Sequence, residues 1–62
     1  MSTLDDLLAQ QHQLRTIQDT LDHVHPKLIG ENKHEAAAMV RIAIILIDKT
    51  LEGLALAIKH YG

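Results

Sequence analysis

From residue 37 onward, apolar side chains return at alternating intervals of three and four: Ala37, Val40, Ile44, Ile47, Leu51, Leu54, Ile58 and Tyr61. An α-helix turns once every 3.6 residues, so this alternation draws one apolar line along a rod, the seam through which helices pair. A strand would need a period of two. The spacing therefore predicts a helix over about residues 33–60.

The same helix carries more apolar surface than one seam can hide. Met39, Ile42, Ile45, Leu46 and Leu56 fall outside the seam and gather on the far side of the helical wheel. Burying one such side chain is worth about 1.5–3 kcal/mol, so five left in water would forfeit about 7–15 kcal/mol, as much as the whole stability of a small domain. Two faces call for two partners. Small residues, Ala36, Ala43, Thr50 and Ala57, recur every seven beside the seam and permit close approach of another helix. Gly53 adds to this at about 1 kcal/mol in helix propensity. Arg41, Asp48, Glu52 and Lys59 share a narrow sector, expected to be solvated. The alternative for Arg41 and Asp48 is a pairing across a two-fold axis that sets register.

Upstream, residues 3–25 read as a first helix, capped by Ser2 or Thr3 with Asp5 and Asp6 near its positive end. Leu7, Leu14, Leu21 and Leu28 recur every seven residues, with Ile17 and Val24 beside them, while Gln10, Gln11, Gln18 and His25 border the stripe. A stripe this thin places the first helix on the outside of an assembly. Pro26 and Gly30 mark residues 26–31 as the connection, which Leu28 and Ile29 would close over the core. The alternative is that Pro26 only kinks the helix, which then continues to Ile29. Asn32 as N-cap with Glu35 three residues on resembles a capping box for the second helix. A connection this short favours antiparallel neighbours.

The expected fold is thus all-α, one antiparallel two-helix hairpin. Chains of this size bury too little surface to stand alone, and with 62 residues and no cysteine neither disulfides nor Cys-rich zinc sites are open to it. Self-association is the remaining common device, most simply a dimeric four-helix bundle with the second helix central. The expected oligomer interface comprises Val40, Ile44, Ile47, Leu51, Leu54 and Ile58 from the seam and Met39, Ile42 and Leu46 from the second sector.

Chemistry is harder to find. His23 and His25 point about 160° apart on a helix and cannot share an ion. Asp19 and His23 do share a face, with His12 upstream, but that face lies opposite the leucines and offers no further ligand. His12, Asp19 and His23 are read instead as a candidate partner-facing surface. There is no cysteine nucleophile, glycine-rich phosphate loop or Ser with a plausible His and acid, so no enzyme activity and no cofactor are expected.

Six basic and eight acidic residues give a formal net charge of −2 and no field for nucleic acid or anionic lipid. In architecture and length the hairpin resembles small two-helix proteins that dimerise into four-helix bundles, among them an RNA-binding plasmid regulator, and that resemblance implies RNA as a partner. Against it, Arg15, Lys27, Lys33, Arg41, Lys49 and Lys59 are spread over both helices, and Tyr61 is the lone aromatic residue. The most apolar run, Ala36 to Ile47, contains Arg41 and falls short of the roughly 20 residues a membrane span requires. Met1-Ser2-Thr3-Leu4-Asp5-Asp6 has no signal-peptide pattern, so the expected compartment is the cytoplasm. The expected function is that of a homo-oligomeric helical interaction module with a regulatory or adaptor role. The alternatives are a subunit of a heteromeric helical complex and a small RNA-binding regulator.

Overall fold

A computed structural model describes residues 2–61, with Met1 and Gly62 outside the described residues. Two helices make up the fold: α1 (Thr3–Gly30) and α2 (His34–Tyr61). Ser2 caps α1 from an extended conformation, its hydroxyl oxygen accepting from the Asp5 amide at 3.1 Å while its carbonyl accepts from the Asp6 amide. Asp5 and Asp6 lie in the positive first turn, and Lys59 and His60 occupy the negative last turn of α2.

The connection is shorter than residues 26–31. Pro26 lies inside α1, which runs on to Gly30 and leaves only Glu31, Asn32 and Lys33 between the helices. Proline has no amide proton to donate and crowds the carbonyl four residues back, that of Asp22, a cost that α1 bears one turn before its end. The chain reverses at Asn32, the one described non-glycine residue with positive φ, at 59°. Its amide donates to Ile29 O at 3.0 Å, and the Lys33 amide donates to Leu28 O at 2.9 Å. These two bonds are the Schellman motif that satisfies the last carbonyls of a helix. Asn32 therefore closes α1 instead of capping α2, and Gly30, with no positive φ, is the last residue of the helix. The Lys33 carbonyl takes the first α2 bond, from the Ala37 amide at 2.9 Å.

A left-handed conformation costs an ordinary side chain about 1–2 kcal/mol, which glycine avoids and asparagine partly offsets through local hydrogen bonds. Asn32→Ala is expected to lower the melting temperature at fixed protein concentration, and Asn32→Gly to hold or raise it. Equal melting of the two variants would show that the turn does not depend on this backbone conformation.

Side by side, the helices bring two rows together. On α2 the half-buried residues are Val40, Ala43, Ile44, Ile47, Leu51, Leu54 and Ile58, with Ala37 buried. On α1 they are Leu4, Leu7, Gln11, Leu14, Gln18, Leu21, Val24, His25 and Leu28. Antiparallel pairing sets Leu28 level with Ala37, Leu21 with Ile44, Leu14 with Leu51 and Leu7 with Ile58. The polar members alternate with these: His25 level with Val40, Gln18 with Ile47, Gln11 with Leu54. Ile17, expected in the leucine stripe, is instead 48% exposed, and Ile29 is exposed beside the turn.

The body measures 47 × 17 × 11 Å, with a radius of gyration of 14.4 Å. A compact chain of this length would have a radius of about 10–11 Å. Its least dimension is the diameter of one helix, so the hairpin is a single layer, and a fold normally needs two layers to enclose a core.

Candidate interaction surface

Single-layer geometry decides what each face of α2 can touch. Its seam faces α1, and Val40, Ile44, Ile47, Leu51, Leu54 and Ile58 all lie there half-buried. The opposite face meets nothing within the hairpin. Met39 is 63% exposed and Leu46 61%, and Ile42, Ile45 and Leu56 are exposed by half or more. The nine residues expected at an oligomer interface thus divide: six line the intrachain seam, and Met39, Ile42 and Leu46 form an outward apolar face together with Ile45 and Leu56.

Gly53 stands in that outward face. Its φ is ordinary, and a Cβ built on it would meet no atom within 4 Å. Nearby, the Thr50 hydroxyl donates to Leu46 O at 2.8 Å, which turns its polar end back onto its own helix. The only ion pair among the described residues, Lys49 to Glu52 at 3.6 Å, is well exposed, with Lys49 within the face and Glu52 at its edge.

One flank of the hairpin is polar. Arg15, Gln18 and Asp19 of α1 and Asp48, Leu51, Glu52 and Ala55 of α2 line an open groove there. Across it Arg15 has Asp48 and Glu52 of α2, and beside it Asp19 of its own helix, with a direct ion pair to none of them.

The candidate surface on α1 is also exposed: His12, Asp19 and His23 lie on its solvent side. His23 Nδ1 lies 2.7 Å from the Asp19 carbonyl oxygen. A carbonyl can only accept, so this geometry puts a proton on Nδ1. The Asp19 carboxylate is not part of that contact. Among the described residues no three His, Asp or Glu side chains come together in a metal-binding group, and no helix is long and apolar enough to cross a membrane. Comparison with protein-family models, with curated proteins and with solved structures finds no match for this chain.

Proposed function

We propose that this chain is a small helical interaction module that works as a homo-oligomer, a dimer first, with a regulatory or adaptor task. The observation that supports this reading is the burial pattern: Ala37, 4% exposed, is the only buried hydrophobic residue described, while five large aliphatic side chains of α2 stand in solvent on one face. A hairpin with so little interior falls short of the apolar burial that offsets chain entropy. Covering the outer face would supply what the fold lacks. A second copy is the partner present whenever the chain itself is made. Binding is therefore the activity proposed.

Sedimentation equilibrium combined with thermal melting over a hundredfold range of concentration tests this. The expected mass is at least twice 6.9 kDa, with a melting temperature that rises with concentration because folding is linked to association. A cooperative single-chain species with a concentration-independent melt would defeat the proposal. An unfolded or aggregating monomer would transfer the apolar face to a different protein and make the chain a subunit of a heteromeric complex.

A further inference from the structure

We propose that α2 meets α2 of a second copy back to back and antiparallel, with Ile42 of each chain seated over Gly53 of the other. This rests on the self-association proposed above and specifies its geometry. Met39, Ile42, Leu46, Lys49, Gly53, Leu56 and His60 are themselves spaced by three and four, a second seam on the side of α2 away from α1. α2 is therefore built to pair twice.

Area favours a second copy as the occupant. The five side chains, each exposed by half or more, leave about 100 Å² each in water, so a two-fold pairing can bury up to about 1,000 Å² in total from them alone, the threshold for a specific interface before the polar rim is added. Shape favours the antiparallel direction. Bulk is concentrated at Met39, Ile42, Ile45 and Leu46, and the gap lies further along at Gly53. Parallel pairing would stack bulk on bulk and gap on gap. An antiparallel pairing sets Met39 level with Leu56, Ile42 with Gly53, and Leu46 with Lys49 of the second copy. Lys49 can lay its aliphatic stem over Leu46 while its ammonium stays at the rim beside Glu52 of its own chain.

Gly53 supplies the independent argument. Glycine in mid-helix is unfavourable relative to alanine, and here neither a positive φ nor a neighbouring atom within the hairpin calls for it. Close approach of another helix accounts for it. The resulting assembly is a row in which the two α2 helices lie innermost and each α1 lies outermost.

Since the chain has no cysteine, engineered disulfides test the register without background. Met39→Cys/Leu56→Cys is expected to form covalent dimers on oxidation, and neither single variant should. The two sites lie about 25 Å apart along one helix, beyond the roughly 7 Å that a disulfide spans, so any bond must join two chains. A cross-link from either single variant would indicate a parallel pairing and overturn the geometry. A ladder of higher species would indicate an open array and overturn the two-fold. No cross-link in the double variant, with wild type sedimenting as a dimer, would overturn this inference alone. A monomeric wild type would remove the self-association as well. The second test is Gly53→Ala. Alanine is the better helix former, so a lone hairpin would gain stability; in the proposed contact the added methyl meets Ile42, and the dimer dissociation constant is expected to rise about tenfold or more. An unchanged or tighter dimer would overturn the close approach.

Discussion

Ile44→Asp is expected to abolish the helical circular dichroism of the chain at every accessible protein concentration. Ile44 lies half-buried in the seam, level with Leu21 of α1. Replacing it removes a large aliphatic contact, worth about 2–5 kcal/mol in protein cores, and adds a carboxylate to the half-buried seam. A chain of this size has at most about 3–5 kcal/mol of net stability to lose. Raising the concentration should recover little helicity within the accessible range, because the loss inside each hairpin exceeds what mass action can offset there. A variant that kept its helicity and mass would show that α1 does not cover this side of α2.

Ile42→Asp separates the two faces of the same helix. In the isolated hairpin Ile42 is 50% exposed, and a surface substitution of this kind usually changes stability by no more than about 0.5 kcal/mol. In a self-associated chain it sets a carboxylate in each copy against Gly53 and the apolar face of the other. Desolvating these charges is expected to weaken association at least a hundredfold, corresponding to about 2.7 kcal/mol. The measurement is sedimentation velocity with helicity followed over concentration: the assembly should dissociate at micromolar protein, and helicity should return in part when the protein is concentrated. Wild-type mass and melting temperature in this variant would show that the outer face of α2 stays in solvent. The two substitutions lie two residues apart, so their different concentration dependences report geometry and not position along the chain.

How far the residues announce the fold can be judged at particular positions. The α2 seam is legible throughout: each member from Ala37 to Ile58 faces α1, because an unbroken alternation of three and four leaves a helix only one way to lie against another. Tyr61, last in the series, is 49% exposed at the open end of the hairpin. On α1 the leucines are legible and their companions are not. Leu4, Gln11, Gln18 and His25 keep the seven-residue spacing that completes the row, yet three of them are polar, so a search for apolar periodicity puts those three on the border and promotes Ile17 in their place. The signal that finds them is register: each lies three residues before a leucine of the stripe. Pro26 and Asn32 misled for a different reason. Proline disfavours helix without forbidding it near an end, and asparagine suits both the start of a helix and the left-handed residue after one. The backbone bonds at Ile29 and Leu28 decide between these two uses. At the candidate surface, the amino-acid types mark α2 as apolar on two sides, but only the placement of α1 shows which side remains uncovered.

A least dimension of 11 Å has one more consequence. A plank with the thickness of one helix has nowhere to enclose a small molecule, so every recognition event must take place on an outer face or in a crevice created when planks are laid together. Regulation of such a chain would act on the stacking itself, through the amount of protein present or through a competitor for the same flat side, with no hinge or chamber needed inside the single strip.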